Sequence, residues 1–213
     1  PLRTVGTAAA TLPHPDSSLV GREDVLRALA DLLDRHRVLS VVGAGGCGKT
    51  RLAIELAHET IGRFAHGAAW VDLAPITDPD AVMHAVAAAV GLPTPAELTT
   101  DRIVVHLAPS ALLLIVDNCE HVIDEAAATI AAIQAGCPAV RIVATSREPL
   151  ALRDEVVWRV PSLATPTAPD GSDLLDSDAG RLLVDRIRRV RPDYEPDGTD
   201  SEALAAVCRR LDG

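Results

Sequence analysis

Residues 38–51 read Val38-Leu39-Ser40-Val41-Val42-Gly43-Ala44-Gly45-Gly46-Cys47-Gly48-Lys49-Thr50-Arg51, and the fold turns on how they are read. An apolar run with β-branched residues feeds a glycine-rich loop. A helical pattern (Leu52, Ile54, Leu56, Ala57) starts directly behind it. Strand, loop and helix follow in the order that the fingerprint G-x-x-x-x-G-K-[ST] needs. Glycines let the backbone turn sharply and aim its N–H groups inward, where they and the helix N-terminus hold an anionic phosphate. The candidate nucleotide contacts are therefore Gly43, Gly45, Gly46, Cys47, Gly48, Lys49, Thr50 and Arg51. Lys49 would reach the outer phosphates, and the Thr50 hydroxyl would ligate Mg²⁺.

Lys49 is the only lysine among the 20 basic residues; the other nineteen are arginine. Arginine serves wherever a generic positive charge is enough. A compact ammonium on a flexible stem fits between phosphates where a planar guanidinium fork does not.

At 213 residues, one domain of usual size plus a smaller appendage is expected. Apolar residues make up 48% of the chain but only four residues are aromatic, so Leu, Val, Ile and Ala must fill the core. A net charge of −10 and a pI near 5.1 argue against a broad nucleic-acid or anionic-membrane surface on this segment. The longest stretch without Asp, Glu, Lys or Arg, Ala81 to Ala96, is interrupted by His84, Pro93 and Pro95. It is shorter than the roughly 20 apolar residues that span a bilayer. The N-terminus lacks a charged-then-apolar signal pattern. Cys47, Cys119, Cys137 and Cys208 show no C-x-x-C pairing, so neither a zinc site nor a disulfide framework is indicated. The plain reading is a reduced, cytoplasmic protein. The chain starts without Met and stops at Leu211-Asp212-Gly213, which suggests a piece of something longer.

Residues 1–18, rich in Pro, Thr, Ala and Ser, read as a linker. An amphipathic helix follows Val20-Gly21-Arg22-Glu23-Asp24 and runs to about Arg35. A second strand is expected at Ala68–Leu73. The helix after it has Asp78 as N-cap and Pro79 in its first turn, with Gly91 at its end. A short helix at Asp101–Leu107 leads into Ala111–Asp117, whose unbroken aliphatic run suits a central parallel strand covered on both faces. A helix over Val122–Gln134, a strand at Val140–Thr145 and a fifth strand at Val156–Val160 complete residues 19–160. Alternating strands and helices imply an α/β fold with a five-stranded parallel sheet and right-handed crossovers. Residues 161–176 read as a second linker. Residues 177–213 read as the start of a small helical domain.

Asp117 ends the most apolar strand. A carboxylate there sits at the carboxyl edge of the sheet beside the phosphate loop, in the Walker B role of holding Mg²⁺. The alternative is an ordinary strand-end Asp in a turn. Its neighbour Asn118 can orient a water but cannot take its proton. Glu120 could substitute from a turn or be a solvated charge, so hydrolysis is expected to be slow or absent. Arg147 could read the γ-phosphate or simply pair with Glu148. The guanine-reading motif Asn-Lys-x-Asp is excluded, because the one lysine is already spent in the phosphate loop. The seven histidines are scattered without ligand spacing. The Arg186–Arg191 cluster reads as a solvated face or an interdomain contact.

Leu19-Val-Gly-Arg-Glu-Asp24, Gly43–Thr50, Leu112-Leu-Leu-Ile-Val-Asp-Asn-Cys-Glu-His-Val122 and Ala144-Thr-Ser-Arg-Glu-Pro-Leu150 together resemble the NB-ARC-like module of STAND-class signalling ATPases. The similarity is strongest to large bacterial regulators of the SARP and LuxR types. It extends from about Leu12 to Gly213. It implies the P-loop NTPase three-layer fold of the ASCE branch, in which a strand is inserted between the Walker A and Walker B strands. It also implies that Val20 and Arg22 lie beside an adenine and that Arg147 is the γ-phosphate sensor. The family's Gly-x-Pro motif would begin at Gly213.

The function implied is an ATP/ADP switch with Mg²⁺, at most a weak ATPase, controlling an attached DNA-binding effector. The implied partners are an adenine nucleotide and other domains of the same polypeptide, namely helical repeats and a DNA-binding domain. Oligomerisation in the ATP state is left open, and neither direct nucleic-acid binding by this segment nor a membrane is expected. The rivals are a small-molecule kinase, for which only Arg186–Arg191 could form a lid, and a motor-type ATPase, against which Asn118 counts.

Overall fold

Strand β1 (Val38–Val42) is buried along its whole length, as a strand covered on both faces of a sheet must be. A computed structural model of the chain describes residues 12–14, 18–93 and 98–212. The rest of the stretch read as the first linker, Pro95 and Ala96 of the charge-free run, and Gly213 lie outside the described residues. Strands β2 (Ala68–Asp72), β3 (Leu113–Asp117), β4 (Arg141–Ser146) and β5 (Glu155–Arg159) join β1 in one sheet of order β2-β3-β4-β1-β5. Every pairing is parallel. The expected α/β P-loop NTPase fold is the one observed, and β4 lies between the strand that feeds the phosphate loop and the strand that ends in Asp117.

Two faces need two sets of helices. Leu114, Val116, Ile142, Ala144, Ala69 and Val71 share one apolar cluster with residues of α3 (Ala81–Ala89), α4 (Thr100–Leu107) and α5 (Ile123–Gly136). The alternating residues Leu113, Ile115 and Val143 are equally buried and point the other way. Helix α2 (Lys49–Thr60) packs against β1, β3 and β4 and brings the buried Leu52 and Leu56. Each such side chain contributes roughly 1.5–3 kcal/mol by leaving water. With almost no aromatics, the core rests on these aliphatics.

Helix boundaries follow the sequence signals to within about two residues, and the capping of α3 differs. Helix α3 starts at Ala81 with Asp80 at its N-cap, not Asp78. Asp78 closes a turn one step earlier: its Oδ1 accepts from Asp80 N at 3.1 Å and its carbonyl accepts from Ala81 N at 2.9 Å. Pro79 therefore lies in the turn before the helix. A short 3-10 turn, Cys119–His121, separates β3 from α5. Among the described residues no helix is long and apolar enough to cross a membrane.

The described residues fall into two compact units, 12–14 with 25–160, and 18–24 with 161–212. Helix α1 (Glu23–Arg35) begins in the second and continues in the first. In the first, Leu12 is buried, and Pro13 and His14 contact His58 of α2. The second holds α6 (Asp178–Val190) and α7 (Gly198–Arg210) around Leu163, Leu174, Val184, Ala205 and Cys208. Ser177 caps α6 by accepting from Gly180 N, and Asp197 caps α7 by accepting from Asp200 N. Gly21 has φ +68°, and a Cβ there would come within 2.3 Å of Asp178 Cγ. Both backbone and space require glycine at that position.

Candidate functional site

The register sets the site. Val42 pairs with Ser146, and Asp72 with Asp117, so β1, β3 and β4 end side by side at their carboxyl edges. Gly43 N donates to Ser146 O at 3.2 Å, tying the start of the phosphate loop to β4. Gly48, at the N-cap of α2, adopts φ +94°, which a side chain would strain. A Cβ built on it or on Gly46 meets nothing within 4 Å, so the concave side of the loop is open.

Lys49 is buried, and its ammonium donates to the carbonyls of Gly43 and Ala44, both at 3.0 Å. Two of its three N–H donors are thereby used, and the third remains for a phosphate oxygen. The Thr50 hydroxyl donates to Asp117, 2.9 Å from Oδ1 and 3.1 Å from Oδ2. Thr145 Oγ1, from β4, donates to Asp117 Oδ1 at 2.5 Å and accepts from Asn118 N at 3.0 Å. Asn118 takes the left-handed conformation, φ 63°, which asparagine tolerates better than most residues. Its Nδ2 donates to Asp117 Oδ2 at 3.0 Å.

Burial pushes the Asp117 carboxyl above its ordinary value. The hydrogen bonds from Thr145 and Thr50 pull it back, and the charges of Asp72 and Glu120 push it up again. Such a carboxylate costs free energy until a cation sits beside it. Thr50 Oγ1 and Asp117 are hard oxygen donors side by side, the set that suits Mg²⁺. The residues present fit the ion that the fold implies.

Arg147 follows β4 and is 68% exposed; its Nε lies 3.3 Å from Glu120 Oε1. The ion-pair partner is thus Glu120, on the turn after β3, rather than the adjacent Glu148. Glu120 is 18% exposed and its Oε2 is buried without a hydrogen-bond partner. A cleft of about 560 Å³ opens over these groups, lined by the loop from Gly45 to Arg51 except Cys47, by Asn118, Glu120 and Arg147, and by Ile54 and His14. It lies outside the carboxyl ends of the strands, where ligands of open parallel sheets bind.

Of the residues singled out above, Gly45, Gly46, Gly48, Lys49, Thr50, Arg51, Glu120 and Arg147 line this cleft. Asp117 lies beneath it through Thr50. Gly43 and Cys47 belong to the loop, and a Cβ on Gly43 would approach Cys47 Sγ to 2.8 Å. Val20 is half-buried and Arg22 buried, both in the second unit. Two residues escaped sequence reasoning. Thr145 had one available signal, a hydroxyl at the end of the strand beside Asp117. His14 had none, because an aperiodic segment does not announce where it packs.

Known proteins resemble this chain in sequence or in fold. A Mycobacterium tuberculosis protein named as a candidate HTH-type transcriptional regulator is 38% identical over 183 residues, 85% of this chain and 19% of that protein. The chain thus spans about a fifth of that relative's length. Among solved structures, Cdc6p of Pyrobaculum aerophilum superposes with a TM-score of 0.55 at 17% identity, covering 86% of this chain and 52% of that one. A signal transduction ATPase with numerous domains (STAND) from Pyrococcus horikoshii, which carries a tetratricopeptide repeat sensor, gives 0.50 at 14% identity over 94% of this chain and 29% of that one. At such identities the likeness shows the fold alone. Residues 31–148, more than half of the chain, match the family model described as an AAA domain, and the chain belongs to that family.

Proposed function

We propose that this chain is the ATP- and ADP-binding switch module of a larger, cytoplasmic transcriptional regulator of the STAND type. Its hydrolysis is slow or absent. The observation that carries the proposal is the cluster around Asp117. Thr50 and Thr145 both donate to that carboxylate, while an amide, Asn118, occupies the position next to it. The groups needed to hold a nucleotide are gathered, and the adjacent carboxylate that would take a proton from water is not. Glu120, with one buried unpartnered oxygen on the cleft wall, is the base for whatever slow hydrolysis occurs.

In this reading the loop N–H groups and Lys49 bind the phosphates, and Thr50 and Asp117 hold Mg²⁺, which would offset the phosphate charge. Arg147 reaches into the same cleft, where a γ-phosphate would compete with Glu120 for its guanidinium. ATP and ADP then differ in what they offer Arg147, and a ligand shifts an equilibrium only by such a differential contact. The effector is a DNA-binding domain elsewhere in the polypeptide, in keeping with the HTH-type name of the mycobacterial relative. The acidic chain itself makes no nucleic-acid contact.

The test is to release and identify the nucleotide carried by purified protein, then to measure ATP, ADP and GTP affinity with Mg²⁺. Adenine nucleotides are expected to bind, with turnover far below tens per second. Preference for GTP would sink the reading, and turnover at tens per second would replace the switch with a motor.

A further inference from the structure

We propose that His14, backed by His58, is the stacking platform for the purine of the bound nucleotide. This rests on the nucleotide reading above and adds a ring contact for the base, which none of the motif residues named as nucleotide contacts can offer. The cleft lining divides by chemistry. Gly45, Gly46, Gly48, Lys49 and Thr50 offer N–H groups and charge for phosphates, and Asn118, Glu120 and Arg147 are polar. What remains is His14, Arg51 and Ile54. Arg51 is held by Glu55 at 2.6 Å. A planar ring and an aliphatic side chain are left as the surface a base would choose.

Their placement has a local cause. Ile54 and His58 are four residues apart and share one face of α2. The His14 ring stacks on His58 with centroids 5.7 Å apart and planes 24° from parallel, and His14 and Ile54 both line the cleft. The segment that carries it is pinned: Leu12 is 7% exposed, and His58 Nε2 donates to the Pro13 carbonyl at 3.0 Å. His14 itself is exposed and lines the cleft. A ring positioned before the ligand arrives costs little to order on binding. Base–aromatic stacking tolerates any base, so the platform strengthens purine binding without choosing between adenine and guanine.

The experiment titrates the chain with ATP and with inorganic tripolyphosphate, each with Mg²⁺, following heat and the fluorescence of an etheno-adenine analogue. Wild type is expected to bind both, ATP more tightly. His14→Ala should weaken ATP roughly 5- to 100-fold and leave tripolyphosphate unchanged. His14→Leu, which keeps bulk but no ring, should behave like the alanine variant, and His14→Phe should restore most of the affinity. Fluorescence quenching of the etheno analogue on binding should disappear with the ring. Undiminished ATP affinity in both His14→Ala and His14→Leu overturns the platform, as does equal loss of ATP and tripolyphosphate. Wild type that binds ATP no better than tripolyphosphate overturns it too, while leaving the phosphate site intact. Wild type that binds neither removes the nucleotide reading and this proposal together.

Discussion

Arg147 Nε and Glu120 Oε1 lie 3.3 Å apart on the wall of the phosphate-loop cleft, joining the residue after β4 to the turn after β3. The pair is half open to solvent, and such a pair is worth at most about 1 kcal/mol. A phosphate oxygen can therefore displace Glu120 from Arg147 at small cost. Glu120→Gln should raise ATP affinity up to about fivefold and leave ADP affinity unchanged. The same variant should abolish residual hydrolysis if Glu120 is its base. Arg147→Ala should weaken ATP more than ADP, and equal losses in paired titrations would remove its role as a sensor.

Asp117 makes stability depend on pH in a direction that can be worked out. Its folded-state value is raised above the model-compound value of 3.8, chiefly by burial. Folding thus favours the protonated form. The stability this contributes is fully present below pH 3.8 and is lost as pH rises through the raised value. Asp117→Asn should match wild type in acid and melt higher at pH 7. About 1 kcal/mol corresponds to roughly 2–4 °C for a chain of this size. Saturating Mg²⁺ and nucleotide should stabilise only the wild type and reverse the order. A lower melting temperature for the variant at pH 7 without ligand would show that the two threonine hydrogen bonds outweigh the burial.

Lys49→Ala is expected to abolish nucleotide binding in a folded protein. It leaves the Gly43 and Ala44 carbonyls without the ammonium that each meets at 3.0 Å. Losing such partners costs on the order of 1–3 kcal/mol, visible as a lower melting temperature with unchanged circular dichroism.

Thr145 distinguishes a scaffold from a spectator. Its hydroxyl holds Asp117 and the backbone of Asn118 at once. Thr145→Val keeps the shape and removes both bonds, and should weaken Mg²⁺-dependent ATP binding about tenfold. Thr145→Ser should retain it. Calorimetry with and without Mg²⁺ reads the difference, and equal affinity for the two variants would make the hydroxyl dispensable.

How far these features could be read beforehand depends on the range over which each is decided. The run Val38–Val42 before the glycines and the run Leu112–Val116 before Asp117 are local patterns, and both strands stand where the patterns put them. Lys49 and Thr50 could be singled out because the fingerprint fixes their spacing, and Asp117 because it ends the most apolar strand. The hydrogen bonds of Thr145 could not be, since they require β4 to lie next to β3 with Val116 opposite Ala144. The choice of Glu120 over Glu148 as the partner of Arg147 depends on a 3-10 turn that carries no periodic signal. Leu12–His14 carry no pattern at all, and Pro13 and His14 meet His58 of α2 through contacts no local pattern announces.

The left-handed backbone of Asn118 has an evolutionary corollary. Aspartate is among the few residues that share asparagine's tolerance for that conformation. Exchanging one amide nitrogen for oxygen would therefore set a second acid beside Asp117 without moving the chain. The amide's bond to Asp117 would become repulsion between two carboxylates, relieved by a cation or by protonation of one of them. On this backbone a single codon separates the amide beside Asp117 from a second acid.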